Sequence, residues 1–477
     1  MKKISNIPSV SSKNVKFSRL GIGMEKLDRN VFDPTYVYDK VADIGAKWIR
    51  IQSGWVRTEK VKGQYDFVWL DEIVDNLLER GLIPWMCLCY GNALYDDTAD
   101  QASGAIGRPP IHTEEARRAW ARYVKAVAEH FKGRVSLYEV WNEPDGVWGW
   151  KHGVNATEYG AFAAETARSI KEMDPNAKVA GGSFCWGNIV WLSHALAAVM
   201  AETIDYITYH SYFRDVETNT EEIYRAVRAT LDAYGCKAEI IQGETGCPSR
   251  TDGKGAIGYL NWSEEKQAKF LLRLLVTNLK SDMYFATWFS AVDMYENLGS
   301  ALLEFKPENF GFFGLLKDNF DKTGEEKYTP KPSYKAMQNL CSVFQGDVKK
   351  TELPIMFAPD VHTGRMPVSP AVSYAVKHAS FILDDGRKAF AYWKPTDIDT
   401  MSVEDRVELH IAGMKQAPKF YDLLTGDIYE LDKEYQEDTK IWDGSVLGEV
   451  NPDVSKALGV WNLRLPLRDY PLLLMFE

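Results

Sequence analysis

The feature that most constrains the fold is a regular alternation of short apolar segments and long amphipathic segments between residues 17 and 345. Helical patterns include 113–133, with an acidic first turn and a terminal Gly133, 263–281, with Ser263 as N-cap, and a last segment at 331–345. A doubly wound open sheet shows the same alternation, but eight strand–helix units are the number that closes a parallel barrel. We therefore predict an α/β fold, a (β/α)8 TIM barrel. Its strand segments are FSRLGIG (17–23), KWIRIQ (47–52), LIPWMCLC (82–89), VSLYEVWN (135–142), KVAGGSF (178–184), DYITYHSY (205–212), AEIIQGET (238–245) and YFATWFS (284–290).

The pattern changes after residue 345. A Pro-rich segment (351–370) leads into runs that alternate apolar and polar residues, among them AVSYAVKH, KAFAYWKP, RVELHIAG and YPLLLMFE. Such alternation, interrupted by turn signals, is typical of antiparallel β structure. We expect a catalytic barrel over residues 1–345, in which 1–16 are a candidate for an extra strand outside the barrel. Residues 346–477 are expected to form a β-sandwich-like accessory domain.

Composition and charge narrow the function classes. Hydrophobic residues make up 45% of the chain and charged residues 26%, which is typical of a globular protein with a large core. The formal charge of −11 argues against nucleic acid or an anionic membrane as a partner. The N-terminal segment turns polar directly after two lysines, and six cysteines form no CxxC pair. These features favour a cytoplasmic protein with reduced, buried thiols, although a secreted protein trimmed of its signal would look the same.

Cofactor motifs are absent from the sequence. It contains no HExxH, P-loop or EF-hand pattern, and Gly21-x-Gly23 lacks the third glycine of a dinucleotide fingerprint. We therefore expect neither a metal nor an organic cofactor.

Two glutamates follow strand segments at the positions where a barrel places its active site. Glu143 lies in WNEPD after the fourth segment, and Glu244 lies in QGETG at the end of the seventh. The C-terminal ends of barrel strands meet at one mouth, so the two carboxylates should face each other. A glutamate at a strand end is more often solvated or salt-bridged, but this pairing favours hydrolysis of a glycosidic bond, which needs two carboxyl groups.

These motifs carry a family resemblance. WNEP after the fourth strand and a strand-terminal GE after the seventh resemble the large clan of retaining glycoside hydrolases built on the (β/α)8 barrel. WNEPDG, together with the trailing β domain, is most similar to glycoside hydrolase family 39, which includes β-xylosidases. The resemblance implies that Glu143 is the general acid/base and Glu244 the nucleophile, and that Asn142 binds the sugar 2-hydroxyl.

Other strand ends supply candidate substrate-binding residues. Arg50 could place a positive charge beside Glu244, or it could form an ordinary ion pair. His210 and Tyr212 resemble the clan's His-x-Tyr, which implies contacts with sugar or carboxylates and a hydroxyl donated to the nucleophile; the alternative for His210 is a core histidine. Trp288 resembles the clan's Trp at the floor of the sugar subsite, and is otherwise a core aromatic.

Two loops are further candidates. Trp148 and Trp150 stand two residues apart in GVWGWKHG, where they could stack on sugar rings or pack against the barrel rim. The long connection 91–113 is expected to shape the pocket and offers His112, with Tyr90 just before it. Trp55, after the second strand, is a similar weak candidate.

The sequence thus predicts a retaining glycoside hydrolase that takes a glycoside or oligosaccharide as substrate. The preferred interpretation is an exo-acting β-glycosidase (β-xylosidase, β-glucosidase or β-galactosidase type) that cleaves short saccharides by double displacement. We expect carboxyl groups about 5–5.5 Å apart and a pKa of Glu143 raised by the ionised Glu244. The alternatives are an endo-acting β-glucanase or xylanase on the same barrel and a non-catalytic carbohydrate-binding barrel.

Overall fold

A closed barrel of eight parallel strands forms the centre of the computed structural model, which describes residues 1–99, 104–296, 306–357, 376–400, 402–431 and 458–477. One strand precedes the barrel, β1 (Lys2–Asn6). The barrel strands follow in chain order, and each coincides with one of the eight predicted segments, so the predicted (β/α)8 fold is confirmed. They are β2 (Leu20–Gly23), β3 (Trp48–Gln52), β4 (Ile83–Leu88), β5 (Leu137–Val140), β6 (Lys178–Cys185), β7 (Tyr206–Ser211), β8 (Glu239–Thr245) and β9 (Ala286–Trp288).

Helices connect the barrel strands. Thr113 caps the helix after β4 by accepting from the backbone N–H of Ala116, and Ser263 caps the helix after β8 by accepting from Lys266, as its position predicts. The α-helices in the described residues are α1 (Tyr38–Ala42), α2 (Trp55–Thr58), α3 (Val68–Glu79), α4 (Glu114–His130), α5 (Ala156–Met173), α6 (Ile189–Ala197), α7 (Val216–Ala233), α8 (Glu264–Lys280) and α9 (Pro332–Val343).

The barrel interior is layered. An apolar plug fills its lower end with Trp48, Trp85, Leu137, Ala180, Ile241 and Phe285. Alternate residues of a strand point to the same side, so Arg50 lies one layer above Trp48, and Glu139 one layer above Leu137. These two buried side chains pair at 2.7 Å. The plug closes the bottom and leaves the polar layer to support the groups at the mouth.

The described residues after the barrel continue with antiparallel strands. They are β10 (Met294–Tyr295), β11 (Phe310–Gly311), β12 (Leu316–Asp318), β13 (Tyr328–Pro330), β14 (Lys349–Thr351), β15 (Ile355–Phe357), β16 (Lys377–Ile382), β17 (Lys388–Trp393), β18 (Glu404–Ile411), β19 (Lys419–Asp422), β20 (Asp427–Glu430), β21 (Trp461–Arg468) and β22 (Leu472–Phe476).

The strands from β14 onward form two sheets among the described residues. A seven-stranded sheet has the order β1-β20-β19-β22-β17-β16-β14, and a three-stranded sheet has the order β15-β18-β21. Phe357 of the smaller sheet packs on Phe390 and Tyr392 of the larger one.

The first strand belongs to this C-terminal sheet. β1 pairs antiparallel with β20, from Lys2 opposite Glu430 to Asn6 opposite Asp427. Of the predicted run AVSYAVKH, residues 371–375 lie outside the described residues. We propose that the two structural units divide near residue 346, with β1 as a strand of the second unit.

A buried ion pair connects the two units. Glu217 of α7 accepts from Arg273 of α8 at 2.7 Å and from the indole N–H of Trp393 in β17 at 2.8 Å. Arg273 also donates to the carbonyl oxygen of Thr396. Both charged side chains are buried. Because they also bond to Trp393 and Thr396, they connect two barrel helices to the C-terminal unit.

The structure also shows the state of the cysteines and the character of the helices. All six thiols are buried and unpaired, as predicted. Among the described residues, no helix has both the length and the apolar character needed to cross a membrane.

Candidate active site

Glu143 and Glu244 meet at the mouth of the barrel. Glu143 follows β5 and is held by its backbone N–H, which donates to the carbonyl of Ser183 at 2.9 Å. Glu244 lies in β8, three strands away around the barrel. One carboxylate oxygen of Glu143, one of Glu244 and a ring nitrogen of His210 all lie within 4.8 Å of one another. The two carboxyl groups therefore lie close enough for both to contact one small group bound between them.

Arg50 organises the floor beneath them. From its fully buried position its Nη1 donates to Oε2 of Glu244 at 2.8 Å, and its Nη2 donates to Oδ1 of Asn142, also at 2.8 Å. Burial lowers the pKa of this guanidinium, but the carboxylates around it, Glu139 first, hold the pKa well above its ordinary value. Arg50 does not line the cavity, which corrects the expectation of a substrate-binding residue. It is a fixed positive charge that acts through Glu244 and Asn142.

His210 and Trp148 hold the carboxylate of Glu143. The Nδ1 of His210 lies 2.9 Å from Oε1 of Glu143, while its Nε2 contacts the Ser183 hydroxyl. The indole N–H of Trp148 donates to Oε2 of Glu143. Both predicted residues thus contact the carboxyl group of Glu143, His210 at one oxygen and Trp148 at the other.

These contacts reverse the expected shift at Glu143. Burial acts to raise the pKa of Glu143, but the hydrogen bonds from His210 and Trp148 and the charge of His210 outweigh it, so the pKa is lowered. Burial acts to lower the pKa of His210, and the carboxylates of Glu244 and Glu143 raise it instead. The sequence could not reveal that the imidazole points at Glu143, and the prediction of a raised pKa is wrong for this reason. The lowered pKa of Glu143 and the raised pKa of His210 both favour the ion pair over the neutral pair.

Tyr212 contacts the other glutamate. Its hydroxyl donates to Oε1 of Glu244 at 2.7 Å. Together with Arg50 at Oε2, it gives each oxygen of Glu244 a donor and fixes the plane of the carboxylate.

A cavity of about 310 Å³ opens above the two glutamates. Of the predicted residues, Asn142, Glu143, Trp148, His210, Tyr212, Glu244 and the weaker candidate Tyr90 line it. Sequence reasoning missed several other lining residues. Two are the last residues of strands, Gln52 of β3 and Cys185 of β6. The others lie outside the barrel strands, on segments whose course the pattern does not predict: Glu25, Lys26, Arg29, Trp186, Phe289, Glu296 and Phe313.

The loop after β2 supplies most of the missed charges. Lys26 pairs with Glu296 from the loop after β9, and Arg29 donates to Gln52 of β3 at 2.8 Å. Glu25 contacts Arg50 at 3.3 Å through one oxygen, whereas its buried Oε2 has no hydrogen-bond partner among the described residues. Burial, with the nearby charge of Glu244, raises the pKa of Glu25 to about 7. This third carboxyl group in the cavity wall carries no motif by which the sequence could mark it.

Four predicted aromatic or imidazole groups do not line the cavity. Trp288 is completely buried and donates to the carbonyl of Phe313, while its neighbour Phe289 faces the cavity, because successive residues of a strand point to opposite sides. Trp150 packs edge-on against Trp141, Tyr159 and Phe162 beneath the rim. Trp55 is enclosed by other aromatic rings, and His112 contacts His152. For Trp288 the alternative of a core aromatic describes the structure, and for Trp150 the alternative of packing against the barrel does. Trp55 is a buried aromatic.

A tight loop positions Trp148. Gly149 lies so close to the preceding turn that a Cβ atom there would be 1.9 Å from the carbonyl oxygen of Glu143. The indole N–H of Trp141 donates to the carbonyl of Gly149 at 2.7 Å and holds the loop from below. The loop can therefore fold back over Glu143 only with glycine at this position.

The rim beyond Trp148 carries an exposed aromatic side chain. Trp186, directly after β6, is 54% exposed and meets Trp148 edge to face at 5.6 Å between ring centroids. Both rings line the cavity on the side of Glu143. An aromatic face left open at a pocket rim is suited to the apolar face of a sugar ring.

Comparison with known proteins agrees with this geometry. A β-xylosidase of Geobacillus stearothermophilus is 29% identical over 242 residues, which are 44% of this chain and 45% of that protein, so the match spans less than half the length of this relative. Two solved structures share the fold. A family 39 glycoside hydrolase from Bacteroides cellulosilyticus WH2 has a TM-score of 0.66 and 16% identity, covering 99% of this chain and 83% of the other. A monomeric β-xylosidase from Caulobacter crescentus CB15 has a TM-score of 0.62 and 17% identity, covering 100% and 98%.

The family assignment rests on a longer match. Residues 36–354, which include Glu143, His210 and Glu244, match the family described as glycosyl hydrolases family 39. This range covers most of the barrel and more than half of the chain. The chain therefore belongs to glycosyl hydrolases family 39, a family of enzymes that cleave glycosidic bonds.

Proposed function

We propose that this protein is a retaining, exo-acting β-glycosidase of the β-xylosidase, β-glucosidase or β-galactosidase type, which acts on short saccharides. The observation that carries the proposal is the approach of Glu143 and Glu244, whose oxygens lie within 4.8 Å in one cavity. Retaining glycosidases hold their two carboxyl groups about 5–5.5 Å apart, whereas inverting enzymes need about 6.5–9.5 Å to admit a water molecule. The spacing supports direct attack by a carboxylate.

In the first step, Glu244 attacks the anomeric carbon and the bond to the leaving oxygen breaks. Arg50 and Tyr212 hold the carboxylate of Glu244 so that one oxygen points at the sugar. Glu143 delivers a proton to the leaving oxygen. Because both pKa shifts favour an ion pair of Glu143 and His210, we infer that the imidazolium passes a proton to Glu143 as charge develops on the leaving group.

In the second step, water hydrolyses the glycosyl-enzyme. Esterified Glu244 has lost its charge, and Glu143, now ionised, removes a proton from the attacking water. Oδ1 of Asn142 is occupied by Arg50, so its amide NH2 group is the part that can donate to a sugar hydroxyl. Water attacks the face that the leaving group occupied, opposite the breaking bond to Glu244, so two successive inversions retain the anomeric configuration.

The cavity size supports exo action on short saccharides. Its volume of about 310 Å³ lies at the small end of ligand pockets, which span about 300–1,000 Å³. The loops that carry Ile106 and Trp148 form part of its wall. An endo-acting enzyme needs a groove open at both ends, and the likeness to a β-xylosidase also favours removal of a terminal sugar. Trp186 is then the platform for the leaving group.

The test assigns a role to each glutamate. Glu143→Ala should form the glycosyl-enzyme from an activated dinitrophenyl glycoside and then stall, since no base remains. Azide needs no base, so it should restore turnover and give a glycosyl azide of the same anomeric configuration. On unactivated substrates the same variant should lose about 10²–10⁴-fold in rate, the typical contribution of a general acid. Glu244→Ala should be inactive with both leaving groups and give only the inverted azide.

The outcomes separate the alternatives. Glu79→Ala, an exposed glutamate on α3, is the matched control and should keep wild-type rates. If the two variants exchanged behaviours, the acid and nucleophile labels would be reversed. Nitrophenyl β-xylosides, β-glucosides and β-galactosides would identify the sugar, and cleavage inside a polymer without release of terminal sugars would establish the endo alternative. No turnover on any glycoside would favour a carbohydrate-binding barrel.

A further inference from the structure

Two loops beside the active site bring together three side chains that the proposed reaction does not use. Asp96 and His112 lie in the loop after β4, and His152 lies in the loop after β5. One ligand atom from each of the three lies within 4.8 Å of the others. They are 16 and 40 residues apart in sequence, so they match no metal-binding motif and only the fold unites them.

The distances within this cluster suit a small coordination sphere. The Nε2 of His152 lies 3.1 Å from Oδ2 of Asp96, and the rings of His112 and His152 have centroids 3.4 Å apart at an angle of 68°. Two ligands of a tetrahedral ion with bonds of about 2.0–2.1 Å are about 3.3 Å apart. The three groups thus need only small side-chain rotations to share one ion.

The carboxylate of Asp96 is already oriented for this purpose. Its Oδ1 accepts from the backbone N–H and the hydroxyl of Thr98, at 2.9 and 2.5 Å. Oδ2 is thereby left to face His152. Such outer contacts, which fix the orientation of a ligand, are typical of metal sites.

The cluster is partly exposed to solvent, mainly at His112, so a bound ion could keep water as a fourth ligand. The side chains of His152 and Asp96 are 18% and 14% exposed, whereas His112 is exposed. Two imidazoles and one carboxylate with an open fourth position form a ligand set that suits Zn²⁺ and neighbouring transition metals rather than Mg²⁺ or Ca²⁺. The charge of Arg108 acts on His152 and opposes a cation, so Asp96 is needed to offset it.

We propose that Asp96, His112 and His152 bind one divalent transition metal ion of the Zn²⁺ class, which links the two loops at the rim of the active site. The loops already touch, since the backbone N–H of Lys151 donates to the carbonyl of Gly107 at 2.8 Å. The second loop also carries Trp148, which contacts Glu143. A bound ion would therefore stabilise the loop that positions the acid/base.

The test measures binding itself, so it is independent of the proposed catalytic function. The full-length protein is stripped with a chelator and titrated with Zn²⁺ in competition with a chromophoric chelator, and metal content is measured after dialysis. We expect one ion per chain, a higher melting temperature with Zn²⁺, and no competition from Mg²⁺ or Ca²⁺. Co²⁺ in the same site should give a visible absorption spectrum that Zn²⁺ abolishes.

Variants locate the ion. Asp96→Asn, His112→Ala and His152→Ala should each weaken binding at least tenfold, since even the loss of an outer contact typically costs 10–100-fold. His194→Ala, an exposed histidine on α6, is the control and should bind as the wild type does. Asp96→Asn changes little in shape, so it reports on binding even if a histidine variant folds poorly.

Three results would overturn the proposal. Zn²⁺ uptake that all three variants leave unchanged would place the ion elsewhere. Uptake lost in His210→Ala but not in His152→Ala would place it between Glu143, His210 and Glu244, the other such group found among the described residues. Binding that Mg²⁺ or Ca²⁺ displaces would indicate a nonspecific cation effect.

Discussion

At the scale of single residues, Glu25 couples the stability of the protein to pH. Its carboxyl group is buried, and one oxygen lacks a hydrogen-bond partner in the part of the chain that the structure describes. Its pKa is raised from the ordinary value of 4.5 to about 7. Because the folded-state pKa lies above the unfolded-state value, ionisation costs the folded protein free energy. The cost is absent below about pH 4.5, grows as the pH rises toward 7 and is then constant.

Replacement of this carboxyl group should remove the pH-dependent cost. We expect Glu25→Gln to gain stability relative to the wild type as the pH rises from 5 to 8, by up to the order of 3 kcal/mol, the equivalent of the pKa shift. Urea unfolding of both proteins at each pH measures it. Glu79→Gln, 76% exposed, should show no such trend. A difference between Glu25→Gln and the wild type that stays constant with pH would show that Glu25 ionises normally.

Prediction from the sequence worked for residues whose position follows from a strand end. The fourth and seventh strands brought Glu143 and Glu244 to one cavity, and the sixth brought His210 and Tyr212 beside them. Prediction failed where a shift of one residue decides which side chain faces the cavity: Phe289 lines it, whereas the predicted Trp288 does not. The pKa of Glu143 depends on the ring orientation of His210, which strand patterns do not contain.

At the scale of elements, strands and helices could be predicted from the sequence, but the courses of the loops around the active site could not. Strands and helices were predictable because their periodicity and caps are local, as with Ser263 at the start of α8. The courses of the loops after β2 and β9, which supply Lys26 and Glu296, depend on contacts between distant segments. The same holds for Gly149, whose closeness to Glu143 follows from the fold of the loop.

Gly149→Ala should impair catalysis more than folding. The added methyl group would lie 1.9 Å from the carbonyl oxygen of Glu143, so the loop with Trp148 must move. A displacement of about 1 Å can cost on the order of 10²-fold in rate, and we expect a loss of this size in kcat/KM with an unchanged circular dichroism spectrum. In Gly153→Ala, in the same loop, the added methyl group meets no atom of the described residues within 4 Å, but it strains a backbone with φ of +103°. This variant therefore reports backbone strain without the clash, and we expect it to lose less activity. Equal losses in the two variants would mean that general loop strain, rather than the clash, is responsible.

At the scale of the whole molecule, the barrel and the C-terminal sheets share one apolar cluster, and buried polar contacts also join them. Sequence texture indicated two units and a change near residue 346, but not which residues join them. The pairing of Glu217 with Arg273 and Trp393 spans 176 residues of sequence, so no local pattern could predict it.

The loss of this contact should destabilise both units. Glu217→Ala leaves the charge of Arg273 buried without its partner, and we expect a loss of about 3–5 kcal/mol in the free energy of unfolding. Urea unfolding followed by tryptophan fluorescence measures it. Glu222→Ala, on the same helix, breaks an exposed pair with Arg225 and should leave stability unchanged within error. Similar stabilities for both variants would show that the buried pair does not hold the units together.

The pairing of β1 with β20 has a consequence for the order of events during synthesis. The first strand leaves the ribosome before any barrel strand, yet its partner at 427–430 is made about 420 residues later. At about 5–20 residues per second, that delay is roughly 20–80 s. The eight barrel strands end at Trp288, so all of them emerge during the wait. All eight barrel strands can thus be made while β1 still lacks its partner, and β1 can pair only after residues 427–430 have been translated.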